Sequence, residues 1–151
     1  RPQAAPPKGN DMLIDDKELT ARLRAVKTIA VLGASDKPGR PVDRVGRYLI
    51  QAGYTVLPVH PKRTSIWGLP AHPDLASVPV PVDLVNLFRA PENCPAHAAE
   101  TIALSPLPSV FWMQLGIDSR EARDILAPHP VFVVADRCLM VEHARLLGGP
   151  R

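Results

Sequence analysis

The stretch TIAVLGASDKPGRPVDRVGR, residues 28–47, decides the fold of this chain. It starts as a short apolar run rich in β-branched residues, which ends at Gly33 and gives way to a polar loop at 34–41. Apolar residues then recur at the spacing of an α-helix, at Val42, Val45, Leu49 and Ala52. A strand, a turn of small residues and a helix N-terminus leave backbone N–H groups free to contact an anionic phosphate. The stretch therefore predicts a phosphate-binding loop between a strand and a helix.

Composition predicts one globular domain. The chain has 151 residues, of which 46% are hydrophobic and 22% are charged, and this length suffices for a single core. No apolar run approaches the roughly 20 residues of a membrane span, and the N-terminal residues lack the apolar segment of a secretory signal. Cys94 and Cys138 are too few for a disulfide framework. We therefore expect a cytoplasmic protein without a membrane partner.

Positive charge concentrates around the predicted phosphate loop. The net charge of +3 is too small to indicate a nucleic-acid partner by itself. Residues 37–63 hold six basic side chains and one acid, so this segment carries +5 and the remainder of the chain carries −2. The six are Lys37, Arg40, Arg44, Arg47, Lys62 and Arg63.

The remaining pattern predicts alternating strands and helices after a flexible, proline-rich tail at 1–10. Residues 11–151 are expected to form a single domain. A first helix is expected from Asp15 or Asp16 to about residue 26, because an acid suits its N-cap. A closing helix is expected at 136–147, with His143 on an exposed polar face. Apolar runs predict five strands at 29–32, 55–60, 83–88, 109–114 and 131–135.

Continuously apolar strands separated by helices indicate a parallel sheet with helices on both faces. We predict a Rossmann-like, doubly wound α/β domain with five strands in the order 3-2-1-4-5. The flavodoxin-like order 2-1-3-4-5 is the alternative. In both, ligands bind outside the carboxyl ends of the strands, near the point where the strand order reverses beside the first strand.

Candidate binding residues follow the strands at this edge. Each group has a plainer explanation, such as a tight turn at Gly33 or core packing at Phe88 and Met113. Because parallel strands bring all of these segments to one edge, a shared binding site is favoured. The candidates are Gly33, Ala34, Ser35, Lys37 and Arg40 after the first strand, Val59, His60, Pro61 and Lys62 after the second, Phe88 and Arg89 after the third, and Met113 and Gln114 after the fourth.

The residues after the second strand discriminate between nucleotides. The dinucleotide fingerprint G-x-G-x-x-G is absent, since Ser35 and Pro38 occupy glycine positions. An NAD site also needs an acid after the second strand for the ribose hydroxyl, and the sequence at 60–63 is HPKR. Basic side chains there favour a phosphorylated ribose, as in NADP or coenzyme A (CoA). CoA fits best, and an NADP-binding enzyme of the reductase type is the alternative.

Five sequence blocks resemble the CoA-binding domain family, small stand-alone proteins similar to the N-terminal domain of the succinyl-CoA synthetase alpha subunit. The blocks are VLGASDKPGRP at 31–41, GYTVLPVHP at 53–61, PVDLVNLFR at 81–89, WMQLGI at 112–117 and DRCLMVEH at 136–143. The resemblance implies a Rossmann-type fold that binds CoA at the strand ends. His60 departs from the family, which usually has Asn there, and it can still form one hydrogen bond. By position, Gly33, Ser35 and Lys37 match the phosphate loop, Val59, Pro61 and Lys62 match the adenosine side, and Phe88, Arg89, Met113 and Gln114 match the blocks beside the diphosphate and pantetheine.

The resemblance to the synthetase does not extend to its catalysis. The synthetase uses a phosphorylated histidine in a second domain and a separate nucleotide-binding subunit, and these 151 residues contain no counterpart of either. The five histidines have no metal-ligand spacing, and no G-x-S-x-G elbow is present. We therefore expect a protein that binds CoA or acyl-CoA without catalytic residues or a metal. A module that mediates protein contacts through its proline-rich segment at 69–81 is a further alternative.

Cys138 is the one candidate for redox chemistry. It follows the fifth strand at the start of the closing helix, where the helix dipole favours a thiolate that can form a mixed disulfide with the CoA thiol. A structural cysteine that packs as a small hydrophobe is the favoured alternative.

Overall fold

Strands and helices alternate along residues 14–149, the part of the chain that this computed structural model describes. The tail expected at 1–10 lies outside the described residues. In chain order the elements are α1 (Asp16–Ala25), β1 (Thr28–Leu32), α2 (Pro41–Gln51), β2 (Thr55–Val59), β3 (Ser65–Ile66), β4 (Leu69–Pro70), β5 (Leu84–Leu87), α3 (Cys94–Ile102), β6 (Val110–Met113), α4 (Arg120–Leu126), β7 (Phe132–Val134) and α5 (Leu139–Leu147).

Five of these strands form one parallel sheet in the order β2-β1-β5-β6-β7. Counted along the five expected strands this order is 2-1-3-4-5, so the parallel α/β fold is confirmed and the preferred order 3-2-1-4-5 is wrong. Pro58 gives the physical reason, because a residue without a backbone N–H suits an edge strand. Its carbonyl accepts a hydrogen bond from the His72 N–H (3.0 Å) on the outer edge of β2. By contrast, all four residues of β5 are buried, as an interior strand requires.

Helices cover both faces of the sheet, as predicted. One face packs against α1, α2 and α5, and the other packs against α3 and α4. Successive residues of β1 serve the two cores in turn: Ile29 and Val31 belong to the first, Ala30 and Leu32 to the second. No helix within residues 14–149 combines the length and apolar character needed to cross a bilayer.

Local hydrogen bonds decide where the helices begin. Asp15 caps α1 as predicted, since its carboxylate accepts from the Lys17 N–H (3.0 Å). The closing helix α5 begins at Leu139, three residues later than expected. Asp136 adopts a left-handed conformation with φ of 56°. Its carboxylate accepts from the Gly116 N–H (2.6 Å), so this residue belongs to a turn rather than to a helix.

His143 is buried, and the expectation of an exposed face at this position of α5 is wrong. Its ring forms a 2.8 Å hydrogen bond between Nδ1 and the Tyr48 hydroxyl of α2. The Tyr48 and Tyr54 rings both meet the imidazole edge-on. Burial lowers the pKa of His143. The packing of α5 on α2 therefore includes a polar contact that hydrophobic periodicity does not reveal.

Candidate functional site

A cleft of about 570 Å³ lies at the carboxyl edge of the sheet, between the N-termini of α2 and α5. The edge is the one predicted for ligand binding, because the strand order reverses between β1 and β5. The cleft is lined by Gly33, Arg40, Pro41, Val42, Arg44, Val45, Phe88, Arg89, Ala90, Gln114, Leu115, Ile117, Cys138, Met140 and Val141.

The loop after β1 begins at Gly33, which lines the cleft and packs against the loop after β5. Gly33 has φ of 79°, and a Cβ at this position would overlap the Phe88 carbonyl oxygen. The Arg89 side chain would lie 3.1 Å from the same Cβ, so it passes directly over the glycine. Any larger residue is excluded by this close approach as well as by the backbone conformation.

The N-terminus of α2 forms one wall of the cleft. Pro41 and Val42 line it, and Arg40, the N-cap residue, makes no side-chain hydrogen bond to the first turn. Proline at the first helical position removes one N–H that would otherwise lack a partner. The Asp43 N–H already donates to the Arg40 carbonyl (3.1 Å), so the Val42 N–H and the positive end of the helix dipole are what favour an anion at this wall.

Three guanidinium groups add to this positive potential. They belong to Arg40, Arg44 and Arg89. None of the three forms an ion pair with a carboxylate in residues 14–149, and no described Asp or Glu lines the cleft. Asp43 in the first turn of α2 pairs with Arg47 instead (2.8 Å). Cations that form no ion pair attract an anionic ligand effectively in a concave, low-dielectric site.

The loop after β2 offers one free cation rather than two. Arg63 donates two hydrogen bonds to Asp36 (3.1 and 3.0 Å) and one to the Ser65 carbonyl (2.9 Å). The hydrogen bonds from Arg63 hold the pKa of Asp36 below its usual range. Lys62 is exposed and has no ion-pair partner among the described residues. The basic character that the sequence assigned to this loop therefore rests on Lys62.

His60 stabilises the same loop from within. Its Nδ1 accepts hydrogen bonds from the backbone N–H groups of Lys62 (3.0 Å) and Arg63 (2.9 Å). Nδ1 acts as an acceptor, so the neutral ring carries its proton on Nε2. The Nε2–H is the group that His60 can offer to a ligand.

Gln114 lines the cleft and joins three elements. It is buried, and its Oε1 accepts from the Asn86 Nδ2 of β5 (3.2 Å) and from the Leu139 N–H at the start of α5 (3.2 Å). Its side-chain oxygen is therefore committed to the protein.

The wall opposite α2 is apolar. It consists of residues from the loop after β6 and from the first turn of α5, and it contains no charged side chain: Leu115, Ile117, Cys138, Met140 and Val141. Leu115 is 67% exposed and Val141 is 52% exposed. Large apolar side chains held this far out of the core mark a surface suited to contact with an apolar group.

Six of the residues predicted from the sequence line the cleft: Gly33, Arg40, Phe88, Arg89, Gln114 and Cys138. Three others, Ala34, Val59 and Met113, are buried in the core instead. The loops beside the cleft hold Ser35, Lys37, His60, Pro61 and Lys62. The other nine lining residues were not among the candidates: Pro41, Val42, Arg44, Val45, Ala90, Leu115, Ile117, Met140 and Val141. The spacing of Arg40 and Arg44 was a usable signal, because the N-cap residue and the residue four later lie on the same side of a helix N-terminus.

Comparison with protein families assigns residues 27–144 to a family described as CoA binding domain. The chain is 35% identical over 127 residues to the uncharacterised protein YneT of Bacillus subtilis, a match that covers 84% of this chain and 93% of that protein. A solved Thermus thermophilus structure is 44% identical with a TM-score of 0.82, covering 88% of this chain and 99% of that one.

A longer relative contains a similar segment. The ADP-forming acetate–CoA ligase I of Archaeoglobus fulgidus is 28% identical over 129 residues. This match covers 78% of the present chain and only 18% of the ligase.

Proposed function

We propose, since this chain belongs to the CoA-binding domain family, that its cleft binds coenzyme A or an acyl-CoA. The observation that carries the proposal is the pairing of two unlike walls. One wall offers a helix N-terminus and three guanidinium groups that form no ion pair within residues 14–149, and the other offers exposed apolar side chains. CoA has the matching chemistry, because its phosphates are anionic and its pantetheine arm is long and largely uncharged.

The position of each group suggests an orientation for the ligand. We place the diphosphate at the N-terminus of α2, where Arg40, Arg44 and Arg89 can donate charge-assisted hydrogen bonds. The 3′-phosphate side of the adenosine then lies toward Lys62 and His60 after β2, and the pantetheine arm extends past Phe88 toward α5. We assign no catalytic role to a cleft residue. A carrier or sensor of CoA species in the cytoplasm fits this proposal, because Cys94 and Cys138 form no disulfide with each other.

Isothermal titration calorimetry with CoA, acetyl-CoA, NADPH and NADH tests the proposal. We expect binding of the two CoA species and weaker or no binding of the two nicotinamide nucleotides. Tighter binding of NADPH than of CoA would overturn the assignment in favour of an NADP site. No binding of any of the four would leave a module for protein contacts as the better interpretation.

A pair of arginine variants locates the site in the same assay. Arg89→Ala removes a cleft cation that can contact phosphate, so CoA should bind about tenfold more weakly or worse. Arg24→Ala is the matched control, because Arg24 is exposed at the C-terminal end of α1, at the opposite edge of the sheet. Its CoA affinity should remain within about twofold of the wild type, since distant exposed charges are screened. Equal losses in both variants would contradict binding in this cleft.

A further inference from the structure

The uncharged wall of the cleft has a fixed shape. Leu115 sits in a turn closed by the Ile117 N–H, which donates to the Gln114 carbonyl (2.8 Å). Asp136 locks the turn from the next loop, because its carboxylate accepts from the Gly116 N–H and its own N–H donates to the Ile117 carbonyl (3.0 Å). Hydrogen bonds at the neighbouring residues therefore fix the backbone turn that presents the exposed Leu115.

Within residues 14–149, the large exposed apolar residues concentrate at this wall. Three large apolar side chains within residues 14–149 are markedly exposed, namely Leu115, Val141 and Val80. Two of them, Leu115 and Val141, line the same cleft from different elements, and the half-buried Met140 and Ile117 lie beside them. Val80 belongs to a separate depression near α3. An apolar surface assembled from two elements and continuous with an anion-binding wall favours a ligand that is anionic at one end and apolar at the other.

We propose that residues 115–117 and 138–141 form an acyl subsite, and that the preferred ligand is a CoA thioester of an unbranched apolar acid rather than free CoA. This inference rests on the proposed CoA site. A free thiol would leave Leu115 and Val141 exposed, whereas an acyl chain of a few carbons removes them from water. With the three guanidinium groups at the diphosphate, a carboxylate at the end of the acyl group would meet only the uncharged side chains of this wall, so the wall selects against it.

Calorimetry with CoA, acetyl-CoA, butyryl-CoA, hexanoyl-CoA and succinyl-CoA tests the subsite. Affinity should rise along the apolar series by roughly two- to fourfold for each added methylene that reaches the wall. Succinyl-CoA should bind no more tightly than acetyl-CoA. Equal affinity for CoA and hexanoyl-CoA, or tightest binding of succinyl-CoA, would overturn the acyl subsite while leaving the CoA site intact. Failure of every CoA species to bind would overturn the CoA site itself.

Serine variants of Leu115 and Val141 test whether these side chains cause the preference for acyl-CoA over free CoA. In Leu115→Ser and Val141→Ser the ratio of butyryl-CoA affinity to CoA affinity should fall by about twofold to fivefold, since each loses apolar area from the wall. Val80→Ser is the matched control, with the same change at a 44% exposed valine outside the cleft, and its ratio should not change. An unchanged ratio in the two wall variants would overturn the proposal. So would a dimer in light scattering that Leu115→Ser dissociates, because the wall would then be an interface between two copies.

Discussion

The side chain of Gln114 lines the cleft and also forms hydrogen bonds inside the core. Its Oε1 is the acceptor for the Asn86 amide and for the first N–H of α5. Gln114→Leu leaves both buried donors unpaired, so we expect unfolding in urea to require about 2–4 kcal/mol less free energy. The same change at the exposed Gln51 of α2 should shift stability by no more than about 0.5 kcal/mol. A Gln114→Leu protein as stable as the Gln51→Leu protein would contradict the structural role of this amide.

The two cysteines differ in access and should differ in chemistry. Cys94 is fully buried, its thiol faces the carbonyl oxygens of Arg89 and Ala90 (3.9 and 3.7 Å), and burial raises its pKa to about 11. Cys138 is half-buried and lines the cleft, which weakens the alternative of a purely structural cysteine. With CoA disulfide, the Cys138 thiolate would attack one sulfur, the disulfide bond would break and one CoA thiolate would leave.

We therefore expect intact-mass spectrometry to detect one CoA adduct after incubation with CoA disulfide. The adduct should be lost in Cys138→Ser and retained in Cys94→Ser. No adduct on the wild type, or an adduct that survives Cys138→Ser, would contradict this use of the thiol.

At the scale of elements, the contact between α2 and α5 should make the stability of the fold depend on pH. His143 is buried in this contact against Tyr48 and Tyr54, and its pKa in the folded chain lies below the value near 6.5 of an unfolded histidine. Between those two pKa values the unfolded chain binds a proton that the folded chain does not. The contribution of His143 to the free energy of unfolding is therefore full above about pH 6.5 and is lost as the pH falls below that value toward the pKa of the folded chain.

Thermal unfolding between pH 7.5 and 5.0 measures this contribution. The melting temperature of the wild type should fall on acidification, and the fall should be smaller in His143→Gln. His129→Gln, the same change on the loop after α4, should keep the wild-type dependence because it leaves His143 in place. If the melting temperature fell with pH equally in the wild type and in His143→Gln, the buried imidazole would not contribute to the pH dependence of stability.

At the scale of the whole molecule, periodicity and turn residues were enough to predict the parallel α/β sheet and the sheet edge that carries the cleft. The strand order was not predictable from these patterns, because both doubly wound orders share them and differ only in the place of β5, which pairs with β2 at the sheet edge in one order and lies between β1 and β6 in the other. Pro58 was the useful signal, since a strand that contains proline belongs at an edge.

The site was predictable where it lies on strand ends and unpredictable where it depends on tertiary contacts. The strand ends predicted from the sequence include Gly33, Phe88, Arg89 and Gln114, and all four line the cleft. It does not reveal that Asp36 pairs with Arg63, because 27 residues separate them and only the fold brings them together. The apolar wall escaped detection for a similar reason, since single apolar residues in a loop and on a helix form a surface only when α5 docks beside β6.

A crystal structure of the chain grown with saturating acetyl-CoA tests the central proposal most directly. We predict the diphosphate at the N-terminus of α2, within hydrogen-bond distance of Arg40, Arg44 or Arg89, with the acetyl group directed toward Leu115 and Val141. A nucleotide bound only at the opposite edge of the sheet, or an empty cleft at that concentration, would contradict it.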